Sequence, residues 1–449
     1  MNQRYQATTT VTRRYALAAL CFLAGLSSEG THAFSVMRNT NQSVSKTNPS
    51  AASLVPSQSG AENKDRVVFG TAAISKADDP HSVLDAAYAK GFRRFDLART
   101  YGAGQSEIIF GEWMTSRNID RSEVDIITKG GMGEDKYGSP DRPLLEREGL
   151  MKEIVTSLDA LQTDCVDLYM FHRDDPRIPA STFVEWANEL VDAGHAKRWG
   201  VSNWSFDRFR EAYAYATKKG LAPPSANSPQ FSLAVPRCEV WPTSHSISGA
   251  DHLPQIEWYR EHNIELLCWE VLAKGFMAQA DKWPEAEVDT STFDCEYEMG
   301  TDEWRLQQIQ KAYCNKDNYR RRRIAVKLAE QHGLKLSQVA TLFALSTGKH
   351  ISVIFGSTNE RHIDDMMGLQ DLFLDSEAMY CLAGKEVKEQ IAKQKVWGYA
   401  NNTNAVKLPG VKTNIVGFRS QSVKQKADNK VAPLLARFDE EEQDTIEKD

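Results

Sequence analysis

The chain has 449 residues, of which 41% are apolar, and a formal net charge of −7. That length fits one large barrel or two to three ordinary domains, and the charge excludes a general electrostatic footprint for nucleic acid. Seven cysteines are scattered without a CxxC pair or metal-type spacing, which predicts neither a structural metal nor a disulfide framework. Cys165 and Cys268 fall in or beside apolar runs and read as small buried hydrophobes.

The first element is a presequence. Arg13 and Arg14 precede an apolar stretch from Tyr15 to Leu26, followed by a polar run ending in Thr31-His32-Ala33. This is the pattern of a signal peptide over residues 1–33, with an apolar core too short to span a bilayer. From Phe34 to Gly60 the chain is rich in Ser, Asn and Thr and has no acidic residue, the composition of a transit peptide over 34–62. The join resembles the two-part presequence of proteins sent to plastids through the secretory route. A plain secreted protein and a twin-arginine export signal at Thr12-Arg13-Arg14-Tyr15 are the rival readings. No later apolar run reaches membrane length, so the remainder reads as soluble once processed.

From Arg66 onward, strand and helix patterns alternate. Apolar, β-branched runs fall at 67–71, 92–98, 124–129, 166–172, 199–203, 225–231, 264–269 and 351–356. Amphipathic stretches at 81–90, 107–116, 147–161, 181–194, 206–220, 256–262, 318–332, 336–346 and 359–369 lie between or after them. Eight such units predict an α/β fold, a closed (β/α)₈ TIM-type barrel over residues 63–399 with its active site on the C-terminal face. A doubly wound open sheet would want a glycine-rich phosphate loop after the first strand, where this chain has Gly70-Thr71-Ala72-Ala73. Residues 276–316 read as a long acidic loop insertion able to cover the mouth, and residues 400–449 as a partly disordered extension. The run Arg320-Arg321-Arg322-Arg323 reads as a solvated helix face.

Polar residues at the strand ends converge on one mouth: Asp96, Tyr101, Lys129 and His172. Singly, each has a bland reading as a cap, a packing ring, a solvated ammonium or a core imidazole. On consecutive strands at matching ends they suit carbonyl reduction. Hydride delivery to a carbonyl carbon builds charge on the oxygen, which needs a proton. Tyr101 can supply it, Lys129 would pull its pKa from near 10 toward neutrality, Asp96 would hold Lys129, and His172 would orient the carbonyl.

The stretch Phe95-Asp96-Leu97-Ala98-Arg99-Thr100-Tyr101-Gly102, with Ser106-Glu107 and Gly111, resembles the signature of the aldo-keto reductases. Ile127-Thr128-Lys129, Asp167-Leu168-Tyr169-Met170-Phe171-His172 and Gly200-Val201-Ser202-Asn203 follow in the family's order. Arg173-Asp174-Asp175-Pro176, Asn203-Trp204 and Asn318-Tyr319-Arg320-Arg321 look closer to a bacterial-type branch. The resemblance covers 66–395 and implies the catalytic tetrad Asp96, Tyr101, Lys129 and His172, with hydride transfer from a nicotinamide cofactor and no metal. It implies that Gly70, Thr71, Ser202, Asn203, Ser228, Trp269, Glu270, Leu272, Lys274, Gly275, Gly356, Ser357, Thr358, His362 and Asp365 line the cofactor. Ser202 and Asn203 would grip the carboxamide and Trp269 would stack on the nicotinamide. Glu270 stands where a serine is usual near the pyrophosphate, and is expected to turn away or to pair with Lys274. After the eighth strand, Gly356-Ser357-Thr358 enters a helix whose amide end suits an anion. NADPH is the default cofactor, with NADH open because Thr358 and His362 replace the usual arginines. Arg173 and Trp204 are the substrate-side expectations for a small carbonyl compound. A regulatory nicotinamide-binding subunit with little turnover, and a lyase or isomerase on the same barrel, are the competing functions.

Overall fold

The computed structural model describes residues 54–56, 66–132, 145–283, 285, 301–374 and 376–383. Eight parallel strands close into a barrel: β1 (Val67–Gly70), β2 (Arg94–Asp96), β3 (Asp125–Gly130), β4 (Val166–Phe171), β5 (Ala196–Ser202), β6 (Ala226–Ser228), β7 (Glu265–Cys268) and β8 (Ile351–Phe355). Neighbours pair in sequence order, and β8 returns to β1 with Val67 opposite Val353. Among the described residues, eleven α-helices lie outside: α1 (Pro80–Ala89), α2 (Gln105–Arg117), α3 (Arg147–Leu161), α4 (Ala180–Asp192), α5 (Phe206–Lys219), α6 (Leu253–Glu261), α7 (Asp302–Tyr313), α8 (Lys316–His332), α9 (Leu336–Thr347), α10 (Glu360–Met366) and α11 (Ser376–Ala383).

Local chemistry sets these boundaries. At α1, Asp79 takes the Ser82 amide N–H (3.1 Å) and Pro80 opens the helix. At α5, Ser205 caps the start and Gly220, at φ +69°, ends it in the left-handed conformation.

Strand alternation sorts the side chains into two cores. Phe69, Phe95, Tyr169 and Phe171 point outward and pack under the helices, where Phe95 meets Phe110 and Trp113 at ring distances of 4.9 and 5.7 Å. Val68, Ile127, Leu168, Met170, Ala226 and Leu267 point inward and fill the middle of the barrel. Below that plug lies an ionic floor. Arg94 donates to Asp125 (2.6 Å) and Glu265 (2.7 Å), Arg198 donates to Glu265 (3.2 Å), and Ser352 donates to Glu265 (2.8 Å). Above the plug, the next inward positions are Asp96, Lys129, His172, Ser202 and Ser228.

The sequence expectations meet four differences. The supposed loop 276–316 buries Phe276 and Met277 in the core and contains α7, which buries Trp304, Ile309, Ala312 and Tyr313. The basic run is not a solvated face: Arg321 and Arg322 are buried, and the Arg322 guanidinium lies 4.7 Å from the Phe276 ring and donates to the Trp283 carbonyl (2.7 Å). A guanidinium is weakly hydrated and stacks on aromatics, so it tolerates this site where an ammonium would not. Leu54–Pro56, placed in the transit-like segment, forms an antiparallel ribbon with Leu372–Leu374. Cys268 is buried as read from its strand, whereas Cys165 is half-buried. The rest of the presequence and the extension 400–449 lie outside the described residues.

Candidate active site

The mouth is built from the top inward layer. Lys129 Nζ, fully enclosed, donates to Asp96 Oδ1 (2.5 Å), to the Leu97 carbonyl (3.0 Å) and to Tyr101 Oη (3.2 Å). All three ammonium hydrogens are therefore engaged. Because Lys129 donates into the phenolic oxygen, the phenol's own proton is the one that can leave. The His172 ring lies edge-on to Tyr101, with centroids 5.6 Å apart, and its Nδ1 shares a hydrogen bond with Thr100 Oγ1 (3.3 Å). That contact leaves Nε2 for a substrate oxygen.

Tyr101 sits on a strained turn. Gly102, Ala103 and Gly104 have φ of +58°, +56° and +91°, three left-handed residues in succession. At Gly104 the φ of +91° would strain any side chain, and a Cβ there would also push against the end of the Arg99 side chain.

Burial decides the proton affinities. The Tyr101 phenol is pushed up because burial disfavours the phenolate; Lys129 pulls it down but does not prevail. The expectation of a tyrosine brought toward neutrality is thus corrected: desolvation outweighs the neighbouring ammonium, and the phenol keeps its proton. His172 is driven well below the usual imidazole range by burial, then by Arg173 and Lys129, and is neutral at pH 7. Burial also opposes the Lys129 charge, yet Asp96 and Tyr101 outweigh it and hold the ammonium above its ordinary range.

The residues expected around a cofactor divide into three groups. Ser202 and Asn203 stand together at the end of β5, Asn203 at φ +61°, its Nδ2 donating to Ser202 Oγ (2.9 Å). Asn203 Oδ1 is buried and has no protein partner, an acceptor that fits the amide hydrogens of a carboxamide. Trp269 is half-buried and fixed by its Nε1 donating to the Ser228 carbonyl (3.1 Å), which suits a stacking ring. Gly70 and Gly356 approach closely, with a Cβ on Gly356 only 2.7 Å from the Gly70 carbonyl. These observations fit a nicotinamide cofactor at this mouth.

Other positions are used differently. The Ser228 hydroxyl is buried and donates to the Leu267 carbonyl (2.7 Å); its main-chain carbonyl gathers donors from Ser202, Asn203 and Trp269 instead. The Thr71 hydroxyl is likewise occupied, donating to the Asp96 carbonyl (2.9 Å). Glu270, at φ +50°, accepts from Lys274 (3.0 Å) and from Trp241 Nε1 (2.8 Å), the pairing foreseen for it. Lys274 lies 3.9 Å from the Trp241 ring, and burial pulls its ammonium down against the pull of Glu270. Leu272 accepts from Gly275 N (2.9 Å), and Gly275 takes φ +96°.

After β8, Thr358 and His362 are exposed or nearly so, and Ser357 Oγ shares a hydrogen bond with His362 Nδ1 (3.2 Å). The following helix is short, and Asn359 already takes the Arg361 amide (3.0 Å), so its amide end is partly used by its own cap. Asp365 pairs with Lys335 (2.5 Å).

On the substrate side, Arg173 is half-buried beside His172 and its charge bears on Tyr101, His172 and His245. Trp204 is corrected: it is enclosed, 5.1 Å from the Phe183 ring with Arg208 over its face, and belongs to the barrel wall. Three contributors escaped the sequence reading: Thr100, Trp241 and Gln230. Buried Gln230 binds Ser232, Ser246, Ser248 and Tyr313, tying the segment after β6 to α7. A lone glutamine two residues past a strand carries no sequence signal for that role.

The model of the aldo/keto reductase family matches residues 66–385. Curated relatives include probable voltage-gated potassium channel beta subunits. The one from Oryza sativa subsp. japonica is 27% identical over 310 residues, covering 68% of this chain and 85% of the relative. The one from Arabidopsis thaliana is 27% identical over 313 residues, with the same coverage. Among solved structures, a thermostable aldo-keto reductase in complex with the inhibitor epalrestat has a TM-score of 0.50 at 17% identity, covering 71% of this chain and 94% of that one. That likeness concerns the fold. An aldo/keto reductase from Klebsiella pneumoniae, solved with NADP and acetate, has a TM-score of 0.49 at 18% identity, covering 71% of this chain and 89% of that one.

Proposed function

Because this chain belongs to the aldo/keto reductase family and is an NAD(P)H-dependent oxidoreductase, we propose that it reduces an aldehyde or ketone to the alcohol with NADPH. The observation that carries the reading is the buried Asp96–Lys129–Tyr101 chain with neutral His172 beside it. A bound nicotinamide supplies the hydride. Asn203 and Ser202 would hold its carboxamide, Trp269 its ring, and the Gly356-Ser357-Thr358 stretch with His362 its adenosine end. At the carbonyl oxygen, Tyr101 gives up its proton, Lys129 steadies the phenolate that remains, and His172 orients the oxygen by donating from Nε2. In the neutral His172 ring with its proton on Nε2, Nδ1 accepts from Thr100 Oγ1. NADPH is the family default; exposed Arg361, beside His362, is the cation that could meet an extra phosphate, whereas Thr358 and His362 replace the usual arginines.

The relatives favour a second reading, a nicotinamide-binding regulatory subunit with little turnover. The intact tetrad weighs against it. Steady-state oxidation of NADPH by the wild type, set beside Tyr101→Phe, separates the two. A reductase loses turnover in the variant while tryptophan fluorescence still reports cofactor binding. A regulatory subunit turns over poorly in both. NADH binding tighter than NADPH in the same titration would overturn the cofactor assignment alone. We also propose delivery to a plastid, on the composition of residues 1–62. A fluorescent protein carrying those residues should accumulate there, and its secretion would refute the address.

A further inference from the structure

Tyr101 stands on a turn whose own caps do not hold it. Thr100 makes no capping hydrogen bond, and Gly104, at the start of α2, has no side chain to make one. Two side chains in the first turn of α2 do the holding. Ser106 Oγ lies 2.5 Å from Thr71 Oγ1, and the single Thr71 proton goes to the Asp96 carbonyl, so Ser106 is the donor between the hydroxyls. Glu107 Oε1 accepts from Thr128 Oγ1 (2.5 Å), on the residue before Lys129. Ser106, Glu107, Thr71 and Thr128 are all buried. The first turn of α2 is therefore fastened to the backbone of Asp96 on one side and beside Lys129 on the other.

We propose that Glu107 is a positioning residue for the proton donor, fixing α2 against β3 so that Tyr101 Oη stays within hydrogen-bond reach of Lys129. Glu107 touches no member of the tetrad, and it acts through Thr128. The physical lever is the distance dependence of the ion–phenol interaction. Every increment between Nζ and Oη weakens the ammonium's pull, leaving burial to raise the Tyr101 phenol further. A carboxylate is a stronger acceptor than an amide or water, and an enclosed Thr128 hydroxyl has nowhere else to go. Burial raises Glu107 while Thr128 pulls it back; its Oε1 is held by the Thr128 hydroxyl, and its Oε2 is buried without a hydrogen-bond partner, so the clasp rests on that one bond.

This inference rests on Tyr101 being the proton donor, so its test has one readout without turnover. The full chain is labelled with tyrosine carrying ¹³C at Cζ, and the Tyr101 resonance is assigned by its absence in Tyr101→Phe. Glu107→Ala should titrate Tyr101 at higher pH than the wild type. Its kcat should fall ten- to hundred-fold, the scale of a misplaced catalytic group, with KM and NADPH affinity within twofold. Glu107→Gln keeps an oxygen for Thr128 and should recover kcat to within about threefold of wild type. Glu265→Gln, at the ionic floor, should lower stability while leaving both the Tyr101 titration and kcat in place. If Glu107→Ala does not fold, Thr128→Val carries the same expectations. The proposal is overturned if the Tyr101 titration is unmoved in the Ala or Val variant. It is also overturned if Gln is as damaging as Ala, which would assign the effect to charge, or if Glu265→Gln shifts Tyr101 equally. A wild type that reduces no carbonyl would sink the reductase reading, while a shifted Tyr101 titration in Glu107→Ala would still support the clasp.

Discussion

The two ends of the barrel bury the same kinds of groups and do opposite things with them. At the floor, Arg94, Arg198, Asp125 and Glu265 meet as ions; the arginines overcome burial and lower the Glu265 carboxyl to about 2. At the mouth, burial wins at the two groups that would face a substrate. Tyr101 is pushed up and keeps its proton, and His172 is pushed down and stays neutral. The charge there is confined to the Lys129–Asp96 pair, with Asp96 holding the ammonium. A structural ion network maximises partners for each charge, whereas this proton-transfer site sets one fixed ion pair beside groups kept in their neutral forms. Between them, six inward apolar side chains separate the two regimes.

The largest effect that can test this contrast is at Tyr101. Tyr101→Phe should cut carbonyl reduction by roughly 10²–10⁴-fold, with thermal stability and cofactor binding nearly unchanged. Rapid turnover by the variant would place the proton donor elsewhere. At the floor the outcome should invert: Glu265→Gln should destabilise the chain by about 3 kcal/mol or more in urea unfolding, because it leaves buried arginines short of a counter-charge, and should leave kcat intact. An equal loss of activity would show that the plug does not insulate the two ends.

The pH dependence sharpens the same point. The Glu265 pKa is lower in the folded chain than in the unfolded one, so its stabilisation is fully present above the ordinary 4.5 and is lost as pH falls toward about 2. Melting temperature in the wild type should drop across that window more steeply than in Glu265→Gln. The raised Tyr101 phenol predicts the reverse for the reductive kcat, which should stay level through neutral pH and decline only above the ordinary tyrosine value of 10. The smallest effect concerns the rim. Glu270→Gln should change NADPH affinity by several-fold at most, since the carboxylate is already shared by Lys274 and Trp241. A change of a hundred-fold would mean that Glu270 faces the cofactor directly.

What could be read from the sequence follows from where periodicity carries information. All eight strands were legible because buried parallel strands are apolar runs, and the tetrad was legible because its members end consecutive runs. The helix α7 was not, since Asp302–Tyr313 hides a narrow apolar stripe among polar residues within a long acidic stretch. Buried Arg321 and Arg322 were misread because a run of like charges signals solvent; for Arg322 it is the tertiary neighbours Phe276 and Trp283 that show otherwise. Trp204 was misassigned because adjacency to Asn203 says nothing of direction: past the left-handed Asn203, Trp204 turns into the wall against Phe183. The direction of the Tyr101 shift was missed because a pair of residues can be named from sequence, but the depth of their burial cannot.

The pairing of Val67 with Val353 also has a meaning in time. The first strand of the barrel finds its second neighbour only in a segment close to three hundred residues later. At synthesis rates of about 5–20 residues per second, that edge waits roughly fifteen seconds to a minute before it can be covered. Throughout that interval β1 offers one unpaired row of backbone groups, which makes the growing chain a natural client for chaperones and exposes it to mispairing until β8 emerges.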